Sequence, residues 1–573
     1  MPILKNLYIC TMEETKELDI LTPEIKRIIE NRISNNLPNI QQRKVLEALH
    51  LLLNGDYEKY TFNASIINST LFYNYSDDDD FQLLLSKINE KQNGRRESGR
   101  FYTPKDVAEY IVANSFLNLV NHTQQKVYSI KKCLEKLHNS ELISKLLFDY
   151  SVFDPTCGTG EFLVSALELK LSLLKNPLDN DFLNILKTIH GNDINITSVE
   201  ISKIRLFFTI FSKLDNYDNL NKVAEILNRN FHNKDFIKCH NSLFSQSPFE
   251  KYNIIVGNPP YIEDKKSQTK PLISYGNIYA NVLENSSNML EEKGVMGFVL
   301  PLSYVSTIRM KKIRDLLINK TPKQLLLNYA DRPDCLFTGV HQKLTILICL
   351  NTTIKTEIYT TGYNYWYKNE RENLLSDKEL IFTKHNKLSY IPKISNETEK
   401  NIFEKILAKK NDKTFLNLSK SNQPNNLFLN MRACFWIKAF SFNPGSKEYK
   451  GFYFEEKKQP YILSLLNSNL FFFFWILTSD CWHITNKELS SFKIILNNIN
   501  FEKFKILAEK LENKLEDTKQ YIGTKQTKYA YKHKFCKVEI DLIDKELARI
   551  YNLTNKEVDY LINYQLKYRM SDK

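Results

Sequence analysis

The chain has 573 residues, more than a single hydrophobic core usually serves, so two or three domains are expected. Its 42% hydrophobic and 12% aromatic residues exclude a disordered protein, and a net charge of +13 agrees with a polyanionic partner without establishing one. Nine cysteines with no CxxC pair argue against a disulfide framework or a zinc site and fit a reducing cytoplasm.

Two segments of the sequence bear on a membrane role. The N-terminal stretch MPILKNLYICTMEETKELDI lacks the apolar core of a signal peptide. The apolar run Leu470 to Leu477, LFFFFWIL, is far too short to span a bilayer. The sequence therefore predicts a cytoplasmic protein with no membrane role.

The first two regions of the chain differ in their apolar spacing. Residues 1–92 are predicted to form a helical N-terminal extension, because EIKRIIENRI and RKVLEALHLLL carry apolar side chains at helical spacing. From 93 to 350, short apolar runs alternate with helical stretches, a pattern that predicts an α/β domain with a doubly wound parallel sheet. The candidate strands are SVFDP, KTIHGND, YNIIVGNPP, GVMGFVLP and KLTILICL, and the candidate helices are EFLVSALELKLSLL and SVEISKIRLFFTIFSKL.

The rest of the chain follows a looser pattern. Residues 351–499 are rich in Asn and Lys with aromatic clusters such as GYNYWY and ACFWIKAFSF, and no catalytic constellation stands out there. Residues 500–573 return to helical spacing, in FEKFKILAEKLENKLEDTK and in the run that begins VEIDLIDKELARI. We therefore predict a third, mixed region followed by a C-terminal helical region.

The first motif with chemical content is FDPTCGTGEF. A predicted strand ends at Asp154, and a turn with Gly158 and Gly160 leads into a helix. Glycines allow the backbone to approach a ligand closely, and this edge of a doubly wound sheet is where nucleotides bind. A dinucleotide-binding fold uses a similar turn, but the absence of a third glycine disfavours it.

The second motif, HGNDIN, follows about one strand–helix unit later. It places Asp193 at the end of the next predicted strand. A carboxylate there can accept hydrogen bonds from two ribose hydroxyls of an adenosine-containing cofactor. The alternative is that Asp193 is an acidic cap of the following helix, and the two roles are compatible.

The third motif, YNIIVGNPPYI, is a hydrophobic strand that runs into Asn258, Pro259, Pro260 and Tyr261. An exocyclic amine of a base is a poor nucleophile, and acceptors such as the Asn258 side-chain oxygen and the Pro259 carbonyl would localise its lone pair. The prolines stiffen the turn, and Tyr261 can stack on a base swung out of a duplex. By itself the motif could also be an ordinary proline turn after a strand.

These motifs, in this order, resemble the γ-class DNA adenine-N6 methyltransferases of bacterial restriction–modification systems. The resemblance covers roughly residues 93–573 and implies a Rossmann-like S-adenosylmethionine-dependent methyltransferase domain followed by a target-recognition domain at 351–499. It implies transfer of a methyl group from S-adenosyl-L-methionine to N6 of a flipped adenine in double-stranded DNA, with no metal. A separate cognate restriction endonuclease is a further candidate partner.

The resemblance also implies individual site residues. SGRFYTPKDVAEYIV looks like the family's N-terminal cofactor motif, whose Tyr and Thr help to hold the methionine end of the cofactor. The cofactor contacts implied in this way are Tyr102, Thr103, Asp154, Thr156, Gly158, Gly160, Phe162, Asp193 and Ile194.

The chain departs from the family pattern at two positions. Where many members have an acid that contacts the cofactor's adenine, this chain has Asn241, whose amide can also pair with an adenine edge. The second aromatic residue that covers the flipped base in some members corresponds to Met310 here. Tyr304 and Met310 are therefore both candidates to cover the base face opposite Tyr261.

Other functions share parts of this pattern. An NPPY element also occurs in methyltransferases that modify protein glutamine, and similar elements occur in RNA adenine methyltransferases, so protein and RNA substrates are alternatives. A bifunctional restriction enzyme with its own nuclease is another, although no metal-binding nuclease motif stands out in residues 1–92. A specificity protein without catalysis would not need the NPPY acceptors.

Overall fold

The computed structural model describes residues 39–53, 103–237, 251–267, 270–271, 273–337, 339–353, 355–383, 389–408, 413–523 and 528–571. The predicted helix EIKRIIENRI and the candidate site residues Tyr102 and Asn241 lie outside these ranges. Within them, the N-terminal extension contributes the helix Asn39–Leu52, which contains most of the segment RKVLEALHLLL that predicts it.

The described strands, numbered in chain order, form one large sheet and three small ones. They are β1 (Lys126–Val127), β2 (Val152–Asp154), β3 (Ile189–Asn192), β4 (Phe231–His232), β5 (Tyr252–Gly257), β6 (Leu290–Pro301), β7 (Lys323–Tyr329), β8 (Leu344–Leu350), β9 (Glu357–Asn364), β10 (Lys378–Glu379), β11 (Ile381–Thr383), β12 (Leu427–Asn430), β13 (Ala439–Phe440), β14 (Tyr449–Phe452), β15 (Gln520–Tyr521) and β16 (Tyr529–Ala530).

The central sheet has the strand order β11-β9-β7-β8-β6-β5-β2-β3-β4. Strand β8 runs antiparallel to β6 and β7, and β11 runs antiparallel to β9, whereas the other neighbours are parallel. Strand β8 is buried along its whole length, so its sequence is a nearly continuous apolar run. The mixed α/β class is therefore confirmed, with two reversed strands that the predicted parallel sheet did not include.

The helices of the first half surround this sheet. They are α1 (Asn39–Leu52), α2 (Lys105–Val120), α3 (Ile130–His138), α4 (Ile143–Phe148), α5 (Glu161–Ser172), α6 (Asp179–Leu186), α7 (Ile196–Phe211), α8 (Leu220–Asn230), α9 (Ile278–Asn288), α10 (Ser303–Ser306) and α11 (Lys311–Lys320). Helix α2 lies over β5, β6 and β8 and packs against α5, while α9 packs against β6 and α11. Helix α1 packs against α8 and so joins the helices around the central sheet.

The central sheet continues beyond the boundary predicted at residue 350. Strand β9 pairs with β7 and β11 pairs with β9, which carries the sheet to Thr383. Strand β9 was not predicted, because the threonines of its sequence, EIYTTGYN, interrupt the apolar pattern although they are buried. Their hydroxyl groups are satisfied by backbone carbonyls, including those of Pro392 and Ile394 for Thr360.

The second half of the chain contains both helices and short strands. Its helices are α12 (Arg371–Leu374), α13 (Glu397–Leu407), α14 (Phe415–Leu418), α15 (Gln459–Asn467), α16 (Asn469–Thr478), α17 (Asn486–Ser491), α18 (Phe501–Asp517), α19 (Lys537–Ile550), α20 (Asn555–Ile562) and α21 (Leu566–Arg569). Strands β13-β12-β14 form a small antiparallel sheet. The predicted C-terminal helices are present as α18 to α20.

Helix α16 contains the run LFFFFWIL. All ten of its residues are buried, and it packs against β9, so it is a core helix that joins the C-terminal region to the central sheet. Among the described residues, no single helix is long and apolar enough to cross a bilayer. Helices α15 and α16 meet that test only when taken together, and they are bent by 60° relative to each other.

Candidate functional site

Three of the predicted motifs meet at one edge of the central sheet. Strand β2 ends at Asp154, β3 ends next to Asp193, and β5 ends next to Asn258. These strands are parallel neighbours, so their carboxyl ends lie together. The direction of strand succession reverses between β2 and β5, and such a reversal opens a crevice where doubly wound sheets bind ligands.

The glycine turn after β2 uses its two glycines differently. Both have left-handed backbone angles, with φ of +53° at Gly158 and +88° at Gly160. A Cβ atom on Gly160 would lie 2.9 Å from the Ser202 hydroxyl, so Gly160 allows α5 and α7 to approach each other. A Cβ atom on Gly158 would meet nothing within 4 Å. The open side of the turn is therefore at Gly158.

Asp154 holds the start of this turn. Its carboxylate is 1% exposed and accepts a hydrogen bond from the Thr156 backbone N–H at 3.0 Å. Burial raises the pKa of Asp154 well above its ordinary value, and the nearby Asp193 adds to this effect. A Cβ atom on Gly257 would lie 2.7 Å from the Asp154 carboxylate, so Asp154 fills the gap between β2 and β5.

Asp193 connects the second motif to the glycine turn. One carboxylate oxygen accepts the Gly158 N–H at 2.9 Å, and the other accepts the Asn195 N–H at 2.8 Å. Helix α7 is capped by Asn195, whose side chain accepts the Ser198 N–H. The alternative reading of Asp193 as the helix cap is therefore wrong. Its carboxylate still has lone pairs that can accept further hydrogen bonds.

Two further side chains that sequence analysis missed support the turn. Asn192 donates to the Pro155 carbonyl and to the Lys234 carbonyl, both at 3.0 Å. Arg205 donates to the Thr159 carbonyl at 2.8 Å and forms a buried ion pair with Glu161 at 3.0 Å. A signal was available, because an arginine inside the apolar run IRLFF is expected to be buried only with a partner.

The NPPY segment is held from two sides. The Asn258 side-chain Nδ2 atom donates to the Thr103 hydroxyl at 3.1 Å, although the two residues are 155 positions apart. The Tyr261 hydroxyl donates to the Val299 carbonyl on β6 at 3.0 Å. Burial raises the pKa of Tyr261 well above its ordinary value, so the phenol stays protonated as a donor. Pro259 is buried, and Pro260 is half-buried.

The two candidates for the second base-covering residue lie in the core. Tyr304 and Met310 are both 0% exposed, and the Tyr304 hydroxyl points to Gln324 at 3.4 Å. In this conformation neither side chain can contact a base, so the expectation for both is corrected. The aligned Arg314 is also buried, and it donates to the Thr307 carbonyl at 3.0 Å. The segment between Tyr304 and Arg314 thus turns these side chains inward.

The residues around the glycine turn fit an adenosine-containing sulfonium cofactor. The buried Thr156 hydroxyl has no hydrogen-bond partner among the described residues, so a ligand could satisfy it. Gly158 leaves room for close approach, and Ile194, 53% exposed beside Asp193, offers an apolar surface to a nucleobase. Phe162, in contrast, is 3% exposed and lies in the core behind the turn.

The mixed α/β fold, the glycine turn, Asp193 and the NPPY segment are the features expected of a Rossmann-like, S-adenosylmethionine-dependent methyltransferase domain. Residues 187–334 match the family model described as Eco57I restriction-modification methylase. This match over part of the chain agrees with the predicted resemblance to restriction–modification methylases and with S-adenosyl-L-methionine as the cofactor.

Individual relatives cover limited parts of the chain. A putative type II restriction enzyme and methyltransferase of Methanocaldococcus jannaschii is 26% identical over 250 residues, which are 37% of this chain and 20% of that protein. A tRNA1(Val) (adenine(37)-N6)-methyltransferase of Haemophilus influenzae is 31% identical over 105 residues, 16% of this chain and 45% of that protein. The chain thus spans less than half the length of these curated relatives.

Among solved structures, a DrdV–DNA complex superposes with a TM-score of 0.42 at 14% identity. The superposition covers 75% of this chain and 49% of the DrdV chain.

Proposed function

We propose that this chain transfers a methyl group from S-adenosyl-L-methionine to N6 of an adenine that has been swung out of double-stranded DNA at a specific sequence. The observation that carries the proposal is the Asn258 side chain, which Thr103 orients beside the cofactor crevice. The match of residues 187–334 to restriction–modification methylases supports DNA as the substrate.

The proposed chemistry follows from the two acceptors of the NPPY segment. The bound cofactor supplies an electrophilic methyl group on its sulfonium. The N6 lone pair is delocalised into the ring, and hydrogen bonds from its two N–H groups to the Asn258 Oδ1 atom and the Pro259 carbonyl favour a pyramidal nitrogen. That nitrogen would attack the methyl carbon as the methyl–sulfur bond breaks and S-adenosyl-L-homocysteine leaves, and it would then lose a proton to solvent, because neither acceptor is a base.

Thr103 has a positioning role in this scheme. An amide has an oxygen and a nitrogen at its two corners, and only the oxygen can accept a hydrogen bond from N6. Since the Nδ2 atom of Asn258 donates to Thr103, its Oδ1 atom is turned the other way. The amide is therefore preorganised before the substrate arrives.

Tyr261 provides the face on which the base stacks. Its hydroxyl is anchored on the Val299 carbonyl, which fixes the position of the outer end of the ring, while the side chain remains partly exposed. A side chain anchored in this way loses less conformational freedom when its ring stacks on an extruded base. We further propose that residues 351–499, the region predicted for target recognition, read the DNA sequence.

A structured RNA is the second candidate substrate. The observation in its favour is the 31% identity over 105 residues to a tRNA adenine-N6 methyltransferase. The chemistry at Asn258 would be the same, because the motif specifies the amine and not the polymer that carries it.

The test is single-molecule sequencing of DNA from a methylation-free host that expresses the chain, with Asn258→Ala as the control. We expect N6-methyladenine at one sequence motif for the wild type and none for the variant. The variant should bind S-adenosylmethionine like the wild type, which shows that it is folded. Unmethylated DNA despite cofactor binding would overturn DNA as the substrate and lead to the same assay on RNA.

A further inference from the structure

The described chain segments next to Tyr261 form one surface, which we call the loop surface and define as residues 262–267, 270–271, 273–277 and 307–312. Asp264 holds the loop together, because its carboxylate accepts the Ser274 hydroxyl at 2.7 Å and the Gly276 N–H at 2.6 Å. Gly276 leaves no room for a side chain, since the Arg309 side chain packs against it. The two segments therefore form a single, built surface.

The loop surface lies at the same sheet edge as the proposed catalytic residues. Residue 262 directly follows Tyr261, and the turn 307–312 follows β6, whose Val299 carbonyl accepts the Tyr261 hydroxyl. The Ile278 N–H donates to the Ile262 carbonyl at 2.9 Å, which closes the base of the loop. A molecule that enters the site at Asn258 therefore meets this surface.

The charges on the described part of the loop surface are mostly positive. Its exposed cations are Lys265, Lys266, Lys270, Arg309, Lys311 and Lys312. The described part of the loop surface also has one exposed acid, Glu263, whose carboxylate lies 3.4 Å from the Lys266 ammonium and 3.9 Å from the Arg309 guanidinium. Asp315 pairs with Lys311 at 2.5 Å at the rim. The excess of cations complements a polyphosphate backbone.

Two large apolar side chains stand among these cations. Ile308 is 57% exposed and Ile273 is 41% exposed, whereas Met310, two residues after Ile308, is completely buried. An exposed isoleucine flanked by exposed cations suits insertion into a duplex, because apolar side chains of DNA-bending proteins insert between base steps.

We propose that the loop surface binds the phosphates of duplex DNA on either side of the target and that Ile308 enters the space which the extruded adenine leaves in the base stack. The proposal rests on the proposed function, because it describes how the same site obtains its substrate. Tyr261 holds the base outside the duplex, while Ile308 opposes its return. Ile308 is thus a positioning residue for extrusion and does not touch the reacting atoms.

This role makes the effect of Ile308 depend on how costly extrusion is. In a matched duplex, the enzyme must break the pairing and stacking of the target, and filling the vacated space offsets part of that cost. A target adenine opposite an abasic position has already lost its pairing partner. Its extrusion therefore costs less free energy, and insertion of Ile308 into the vacated space contributes less to it. A merely structural role of Ile308 would affect both substrates equally.

The first experiment compares Ile308→Ala with the wild type on duplexes that carry the methylated motif found by sequencing. We expect kcat/KM to fall about tenfold on the matched duplex and less than about threefold when the target adenine lies opposite an abasic site. Ile506→Ala is the matched control, because Ile506 is 53% exposed on α18, and it should change neither value.

The second experiment tests the cations through the salt dependence of DNA binding. The triple variant Lys265→Ala, Lys266→Ala and Lys270→Ala should lower the slope of log K against log salt concentration by about 2 to 3, because each phosphate contact contributes about 0.9. The control triple Lys505→Ala, Lys510→Ala and Lys556→Ala, at exposed positions, should change the slope less.

The outcomes separate the inference from the function on which it rests. A wild type that methylates no duplex DNA overturns both. A wild type that methylates DNA while Ile308→Ala matches it on both substrates, or loses activity equally on both, overturns the role of Ile308. Equal slope changes in the two lysine triples overturn the phosphate-binding role of the loop surface.

Discussion

The two glycines of the turn after β2 allow a sharp test, because the same substitution should damage different properties at the two positions. Gly158→Ala places a methyl group in open space, on the side where we expect the cofactor. The left-handed backbone there, with φ of +53°, costs alanine about 1 kcal/mol of stability. A methyl group between the backbone and the cofactor should weaken S-adenosylmethionine binding at least about tenfold, or about 1.4 kcal/mol.

Gly160→Ala meets a different obstacle. Its Cβ atom would lie 2.9 Å from the Ser202 Oγ atom and 3.2 Å from the Ser202 Cα atom, so helix α7 itself must shift. Overpacking of this kind costs about 1 to 3 kcal/mol, and the backbone angle of +88° adds about 1 to 2 kcal/mol. The free energy of unfolding should therefore fall more for Gly160→Ala than for Gly158→Ala.

The assays are urea unfolding for stability and isothermal titration calorimetry for cofactor affinity. We expect Gly158→Ala to lose little of its free energy of unfolding and to bind the cofactor poorly. Gly160→Ala should lose clearly more of its free energy of unfolding. Wild-type affinity in Gly158→Ala would refute the assignment of the open side of the turn to the cofactor. Equal losses of stability in both variants would refute the packing argument at Ser202.

Three other predictions concern single side chains. Thr103→Val removes the acceptor for Asn258 Nδ2, so kcat for methylation should fall about tenfold at unchanged cofactor affinity. Thr103→Ser keeps the hydroxyl and should retain the wild-type kcat. Weakened cofactor binding in Thr103→Val would instead favour a role of Thr103 in holding the methionine end of the cofactor. Tyr261→Phe keeps the ring but loses the anchor on Val299, so single-turnover methylation should slow severalfold, and less than in Tyr261→Ala. Burial lowers the pKa of Lys170 to about 7 in the folded protein. Between about pH 7 and 10.4, Lys170 is therefore protonated in the unfolded protein and largely neutral in the folded protein. The wild type should gain up to about 2 kcal/mol of stability over Lys170→Met from pH 7 to 9 in urea unfolding, and a pH-independent difference would contradict this.

Much of the fold could be predicted because its signals are local. The strands that lead to Asp154, Asp193 and Asn258 are buried on both faces, so each appears in the sequence as a short apolar run followed by polar residues. Strand β9 was not predicted, because the polar Thr360 hydroxyl is satisfied by hydrogen bonds to carbonyls more than thirty residues later in the chain. No local pattern reports a partner at that distance.

Local sequence patterns predict the parts of the proposed site: a glycine turn, an acid and an NPPY segment, in that order and each at the end of a strand, because strand ends and turns depend on neighbouring residues. Which side chains meet depends on the tertiary structure. It brought Thr103 to Asn258 and Asp193 to Gly158, and it placed Arg205 behind the turn. It also buried Tyr304 and Met310 while exposing Ile308, since burial depends on how whole elements pack and not on residue type.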